Sequence, residues 1–399
     1  MDKNYKNIVM PEYTRHFSCI GAKCEDTCCS GWTVYIDENT YKKYKKVNQK
    51  EMKVRLSKEI VQKHTSQDPS IAAKIKLKNG RCAFLSPKGW CDIYSTLGED
   101  YLSSTCKAYP RTLNLINRTL EYSLILSCPE AARLILLSKE PIKYIKDSDL
   151  KIEYPISAHI ETNLKKPQRW QDYFLEIRST LIQIIQNRNL ILEERIKVLG
   201  QLLKEIDDQA SRGSINKISL VLKDFANKDL SIQAKTVKDH LDTEIREYFD
   251  LAISLKKYKE ENKIKSIRYI ECLQQVFTGL SMNNLDDKKQ VTIEFQTAYK
   301  NYITHFVSEY GYIIENYLVN YLFERCIPLD ESKPIKSYQR IKMCYRLIKL
   351  QIIGMFSYYQ EVSQEWIIKL IQSFSKTFDH DDTSFTKLLT YLQHEGTES

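Results

Sequence analysis

Apolar positions along the chain follow two rules that change near residue 150. Beyond it they recur every three or four residues. Trp170, Tyr173, Phe174, Ile177, Leu181, Ile184 and Ile185 make one such stripe. Leu192, Ile196, Leu199, Leu203 and Ile206 make the next. This period is that of amphipathic helices, each burying one face. Similar stripes recur around 235–280, 290–325, 337–360 and 363–393. Glycine and proline are scarce there, so long helices are expected. No fixed-period repeat is present. Residues 160–399 therefore read as a helical bundle whose tyrosine and aromatic stripes are core rather than a cofactor pocket.

The first 150 residues alternate over shorter distances. "WTVYID" (32–37) reads as a short strand, and Asp37 as the cap of a helix opening at Glu38. That helix is expected to continue through "YKKYKKVNQKEMKVRLSKEIVQKH", to His64. Pro87 and Gly89 turn the chain between Cys82 and Cys91. "LGEDYLSSTC" reads as a short helix ending near Cys106, and residues 112–126 as a hairpin turning at Asn117-Arg118. Pro129 suits a first helical position, with Ser127 or Cys128 as cap. "EYPISAHIETNLKKPQ" (153–168) reads as a linker. The predicted architecture is mainly α, with a small cysteine-rich α+β region at 1–150 followed by a larger helical domain at 160–399.

Composition adds an asymmetry. Of 11 cysteines, eight lie between Cys19 and Cys128. Residues 1–150 carry 25 Lys+Arg against 17 Asp+Glu, a net of +8 out of the chain's +9. The densest basic patch, 42–58, reads as a solvated helix face, with contact to an anionic membrane surface or an acidic partner as the functional alternative. The opening residues have neither the apolar region nor the cleavage site of a signal peptide. No run of about 18 uncharged apolar residues occurs. The expected compartment is the cytoplasm, where thiols stay reduced, and disorder is expected only at the tail, "HEGTES".

In that setting the stretch "CIGAKCEDTCCSGW" reads as a metal site rather than a disulfide knot. Its spacing is C-x4-C-x3-C-C, with Cys82, Cys91 and Cys106 as dispersed partners. Thiolates bind zinc and cluster iron. A structural zinc finger would show two compact knuckles, and only one is present. Cys24, Cys28, Cys91 and Cys106 are the first choice of ligands, with Cys19, Cys29 and Cys82 as substitutes. Adjacent Cys28 and Cys29 are expected to point apart, one to the metal and one to the core. Cys128 reads as a buried cap residue, and Cys272, Cys326 and Cys344 as core. Glu25 and Asp26 are candidate proton acceptors, or loop hydrogen-bonding residues. Trp32 is expected to anchor the loop from beneath.

Several chemistries are excluded by absence. No G-x-G is present, so there is neither a dinucleotide-binding fingerprint nor a P-loop. Gly31 stands where the third cysteine of C-x3-C-x2-C would be. G-x-S-x-G and H-E-x-x-H are also missing.

"FSCIGAKCEDTCCSGWTVYID" and "CAFLSPKGWCDIYSTLGEDYLSSTCKAYPRT" resemble the flagellin lysine-N-methylase family. So do "RWQDYFLEIRSTLIQIIQNRNLILEERIKVLGQLL" and "IIENYLVNYLFERCIP". The cysteine part is also similar to a broader group of zinc- or iron-chelating proteins with a CxxCxxCC signature. The resemblance implies a cytoplasmic enzyme that moves methyl groups from S-adenosylmethionine to flagellin lysines, with no nucleic-acid partner. It further implies a 4Fe–4S cluster, with zinc as the alternative, held among Cys19, Cys24, Cys28, Cys29, Cys82, Cys91 and Cys106. Tyr109, Pro110 and Arg111 match the family's "YPR" run, which makes Arg111 and Tyr109 candidate cofactor contacts. The missing glycine-rich loop argues against a doubly wound methyltransferase fold, so the cofactor must be held another way. The catalytic residues stay unassigned.

Overall fold

The computed structural model describes residues 7–63, 71–148, 154–227, 241–261, 264–283, 288–378 and 382–395. The fold is mainly α. Three small sheets lie in the first 160 residues. The largest is five-stranded, in the order β10-β7-β8-β1-β9. Its strands are β1 (Ile8–Pro11), β7 (Arg111–Ile116), β8 (Thr119–Leu124), β9 (Tyr144–Asp147) and β10 (Ala158–Ile160). β7 and β8 form the expected hairpin, antiparallel, with Asn117 at φ 53° in its turn. Asn tolerates that left-handed conformation better than most side chains.

The stretch expected to be a linker contributes β10, which runs parallel to β7 in the register Ala158↔Asn114 to Ile160↔Ile116. The correction has a simple cause. An edge strand of three residues carries almost no periodic signal, and its pairing partner lies over forty residues upstream. The other two sheets are β2 (Tyr35–Ile36), β4 (Ala73–Ile75) and β3 (Ile60–Gln62), in that order, and β5 (Leu77–Lys78) with β6 (Arg81–Cys82). The strand expected over 32–37 therefore shrinks to Tyr35–Ile36.

The single helix expected from Glu38 to His64 is two: α1 (Glu38–Lys45) and α2 (Lys50–Glu59). Val47 turns inward between them and is 3% exposed, which breaks the helical stripe. The β-branched pair Ile60-Val61 then leaves the helix to pair with β4. His64 and residues 396–399 lie outside the described residues, while His394 and Glu395, the first two of the tail expected to be disordered, end the last helix, Asp382–Glu395. Asp37 caps α1 as expected, accepting from the Thr40 amide at 2.9 Å and from the Ser104 amide at 3.0 Å. The second bond ties α1 to α4 (Ser104–Ala108), which follows α3 (Asp92–Leu97) and carries Cys106.

Cys128 caps α5 (Pro129–Leu136), with Pro129 at its start. The bundle continues with α6 (Phe174–Ile185), α7 (Leu192–Ser211), α8 (Ile218–Asn227), α9 (Leu241–Glu261) and α10 (Ile267–Gly279). Next come α11 (Lys288–Asn301), α12 (Tyr312–Glu324), α13 (Pro334–Tyr359), α14 (Gln364–Phe378) and α15 (Asp382–Glu395). α11 is continued by a π-helical stretch, Tyr302–Val307.

Two main apolar cores form among the described residues, beside a small third cluster of Ile116, Phe174 and Cys326. One runs without interruption from Ile8, Leu113 and Leu120 of the large sheet into the bundle. The other, around Ile36, Tyr44, Phe84 and Ile93, belongs to the cysteine-rich part alone. The large sheet is fixed to the bundle by buried polar contacts as well. Arg178 makes a two-pronged pair with Glu121, and Asn320 donates to the Leu124 carbonyl at 3.2 Å. Cys272, Cys326 and Cys344 are buried, as expected.

Candidate functional site

The cysteine loop is shaped by turns. At Gly21, φ is +57° and a Cβ would stand 2.9 Å from the Trp90 ring, so only glycine lets the indole lie on the loop backbone. Thr27 makes the next turn: its hydroxyl accepts from the Cys29 amide at 3.1 Å, and its carbonyl accepts from Ser30 Oγ at 3.3 Å. Trp32 donates through Nε1 to the Cys28 carbonyl at 2.7 Å and packs on the small core. Backbone bonds from Cys82 N to Cys29 O (2.8 Å) and from Gly31 N to Gly80 O (2.9 Å) bring β6 against the loop.

These turns gather the thiols. Cys29 is hydrogen-bonded to the thiols of both Cys28 and Cys82. Those two bonds, with help from Thr27 and the Lys376 charge, hold Cys29 well below the ordinary thiol range despite its burial. The same bonds, then burial, push Cys28 and Cys82 up. The three thiols therefore act on one another's protonation, with Cys29 pushed down and its two neighbours pushed up. Burial pushes Cys106 up to about 12, and nearby Cys29 and Cys91 add to the rise. Burial likewise raises Cys91, with Cys29 adding to it. Cys24 belongs to a neighbouring group. Its thiol reaches the Asp26 carbonyl at 3.1 Å, burial raises it, and Cys19 is close enough to contribute. Cys128, raised to about 12 by burial, also feels Cys24 and Cys19.

Cys29 packs against the small core while Cys28 is exposed, so the adjacent pair divides between core and surface, in line with the expectation that one of them faces the core.

Glu25 and Asp26 are tied to helices. Glu25 pairs with Arg133 of α5, and Arg268 of α10 stands 4.0 Å away. Asp26 receives Lys376 Nζ of α14 at 2.8 and 2.9 Å and Gln372 Nε2 at 2.8 Å. Lys376 also donates to the Thr27 carbonyl at 3.0 Å, and Gln372 to the Ser127 carbonyl at 2.7 Å. Both acids are loop anchors.

The model of the FliB lysine N-methylase C-terminal domain matches residues 178–399. The chain belongs to the FliB lysine N-methylase family. It is 23% identical to a lysine-N-methylase of Salmonella choleraesuis (strain SC-B67), covering 94% of this chain and 92% of that protein. A lysine-N-methylase of Salmonella typhimurium matches with the same identity and coverage. The flagellar biosynthetic protein FliU of Salmonella muenchen is 34% identical over 139 residues, which is 32% of this chain and 76% of that protein. No solved structure matches the chain. The protein is a protein-lysine N-methyltransferase.

In this methyltransferase the "YPR" residues follow α4 directly, with Tyr109 at its C-terminal cap. Tyr109 shares a hydrogen bond with Ser127 Oγ at 3.1 Å, and its ring stands 6.1 Å from that of Trp32. Burial raises its phenol well above the ordinary value. Arg111 opens β7. Its guanidinium lies between the rings of Phe17 and Tyr154, 5.0 Å from each, and Nε donates to Tyr122 OH at 3.2 Å. Among the described residues, no three His, Cys, Asp or Glu side chains stand in a ready metal-holding arrangement.

Sequence reasoning missed Lys376, Gln372, Arg133 and Arg268. A signal existed for two of them. Gln372 and Lys376 sit four residues apart among the buried apolar positions Trp366, Ile367, Leu370, Ile371, Phe374 and Phe378 of α14. A polar pair on an apolar face needs a partner, because a buried polar group without one is costly. In the basic segment, Lys42, Lys43, Lys45 and Arg55 all have partners within the chain. Among the described residues, no helix is long and apolar enough to cross a membrane.

Proposed function

We propose that this enzyme transfers methyl groups from S-adenosylmethionine to lysine side chains of flagellin in the cytoplasm, with the N-terminal cysteines holding a 4Fe–4S cluster. The observation that carries the reading is the match to lysine-N-methylases across 94% of the chain, cysteine-rich part included. The FliB family name and the flagellar FliU relative support flagellin as substrate.

The donor chemistry fits a thiophilic centre. Cys28, Cys29 and Cys82 are already in contact, and Cys91 and Cys106 are close to them. Cys19 and Cys24 complete the candidate set. Loading would replace the S–H donors by thiolates and release their protons. A cluster held by three cysteines, when bound, would offer an open iron to the amino and carboxylate groups of S-adenosylmethionine. Arg111 and Tyr109 are the proposed cofactor contacts, since a guanidinium fork matches a carboxylate.

In a polar transfer the lysine nitrogen attacks the methyl carbon, the S–CH3 bond breaks toward sulfur, and the amine loses a proton. Glu25 and Asp26 are engaged by cations, and Tyr109 holds its proton tightly. This favours desolvation of the incoming amine over proton abstraction by these groups. We assign cofactor binding to residues 1–150 and substrate recognition to 160–399.

Anaerobic purification followed by transfer of labelled methyl to flagellin of the same cell tests the proposal. Matched iron and acid-labile sulfide, with label on flagellin lysines, is the expected result. Colourless protein with stoichiometric zinc, prepared without oxygen, refutes the cluster. Loaded enzyme that leaves flagellin unlabelled refutes the substrate.

A further inference from the structure

We propose that Lys376, backed by Gln372, is the positioning residue of the cysteine loop, so that the helical half of the enzyme sets the geometry in which Cys28, Cys29 and Cys82 meet. The proposal rests on the reading of these thiols as a metal site.

The geometry is that of a clamp. A lysine ammonium has three donors. Here it faces both Asp26 oxygens and the Thr27 carbonyl, all within 3.0 Å. Thr27 is the residue whose hydroxyl holds the Cys29 amide, so the clamp reaches the central thiol through a single residue. The lysine stem runs beside Gly31, where a Cβ would lie 3.9 Å from its last carbon. Gln372 locks the other side. Its amide bridges Asp26 and the Ser127 carbonyl, joining the loop to the turn that enters α5. The loop is thus held at Asp26 and Thr27 by one face of α14.

Burial makes this arrangement exacting. The side chains of Lys376 and Asp26 are 13% and 16% exposed, and Gln372 is fully buried. Little water is available to replace a lost partner. A pair this buried recovers little net stability against its desolvation, whereas apolar residues would hold the loop as firmly. Its distinctive contribution is direction: the ammonium must face Asp26 and Thr27, and that fixes the turn carrying Cys28 and Cys29. Groups that orient metal ligands from behind are worth about 10- to 100-fold in metal affinity.

The test uses the full-length protein, reduced and stripped of metal, with cobalt(II) alone as the probe. Thiolate-to-cobalt absorption reads the affinity, and the rate of reaction with a disulfide reagent reads how the metal-free thiols are held. Lys376→Met is expected to lower cobalt affinity by about tenfold or more and to speed thiol modification, with helical circular dichroism retained. Lys376→Arg, which keeps the cation, should return both readouts toward wild type. Lys369→Met, two turns earlier on α14 and paired with exposed Glu271, should leave both unchanged. If Lys376→Met fails to fold, Asp26→Asn asks the same question from the loop side. Cobalt affinity and thiol reactivity that stay at wild-type values in folded Lys376→Met or Asp26→Asn overturn the proposal. If wild-type protein binds neither cobalt nor iron, the metal reading falls, while the thiol rates still decide whether the clamp exists.

Discussion

Replacing Lys349 by methionine removes a buried cation from the middle of the bundle. Lys349 lies on α13 and is 1% exposed. Its ammonium reaches Glu193 of α7 at 2.5 Å, Glu244 of α9 at 3.0 Å and Tyr299 OH of α11 at 2.8 Å. The rings of Tyr248 and Tyr299 stand 4.9 and 5.0 Å away, and those of Tyr302 and Tyr345 5.7 and 5.9 Å. Four elements of the bundle therefore converge on one charge. Methionine keeps most of the stem volume, so a cavity contributes little. What remains is the cost of two carboxylates facing an apolar site. Breaking a buried pair costs about 3–5 kcal/mol. Glu193 and Glu244 keep 21% and 36% side-chain exposure, so water recovers part of their solvation. That places the expected loss near about 3 kcal/mol.

The effect should depend on pH. Burial raises the Glu193 carboxyl, but the Lys349 charge and hydrogen bond outweigh it and hold it below the ordinary range. A carboxyl depressed in the folded state contributes stability above its unfolded pKa of about 4.3, lost as pH falls through the folded value. The gap between wild type and Lys349→Met should be full at neutral pH and narrow in acid. Urea unfolding followed by far-ultraviolet circular dichroism measures it. Lys349→Met combined with Glu193→Gln should lose less than Lys349→Met alone, because one stranded charge is gone. A neutral-pH loss below about 0.5 kcal/mol, the range of ordinary surface substitutions, would refute the reasoning. So would a gap that does not change with pH.

Gly279→Ala should destabilise by about 1–3 kcal/mol, because its Cβ would stand 2.0 Å from the Gly354 carbonyl where α10 crosses α13; a thermal midpoint equal to wild type would show that the helices can part at no cost. Arg111→Lys should raise the KM for S-adenosylmethionine sharply in initial-rate measurements, while a guanidinium that merely fills the gap between Phe17 and Tyr154 would lower stability and leave KM alone. Asp37→Ala should cost about 1–2 kcal/mol in urea unfolding, since it removes the α1 cap and the tie to α4; a loss no larger than that of Glu38→Ala, whose carboxylate meets only exposed Lys42, would contradict this.

The bundle was legible because helical burial is periodic. The stripe at Ile177, Leu181, Ile184 and Ile185 is buried on α6, and that at Ile196, Leu199, Leu203 and Ile206 is buried on α7. Caps were legible because they are local: Asp37 and Pro129 act within a few residues of themselves. What failed depended on distance. β10 exists because β7 offers it an edge, and nothing within 158–160 states that. The break between α1 and α2 depends on Val47 finding a core pocket and Ile60 finding β4. The cysteine-rich segment was visible in the sequence, while the Thr27 turn and the approach of β6 that shape the loop around Cys29 were not. Lys376 lies 350 residues from Asp26, so no local pattern could pair them.

That separation bears on how the family's two halves relate. The matched C-terminal domain begins at residue 178, well after the last cysteine of the cluster. Read alone, it is a helical body without the N-terminal thiols, and the cysteine loop is a proposed metal motif without a scaffold. Yet Arg268, Gln372 and Lys376 of the matched domain all reach Glu25 or Asp26. If these contacts served stability alone, apolar side chains would be the cheaper choice at such burial. Ionic and amide groups add a demand on direction, and Glu25 and Asp26, which they direct, are two of the three residues between Cys24 and Cys28. On the proposed clamp, the matched helices are a structural part of the cysteine site, and a substitution on α14 acts on the thiols without touching one.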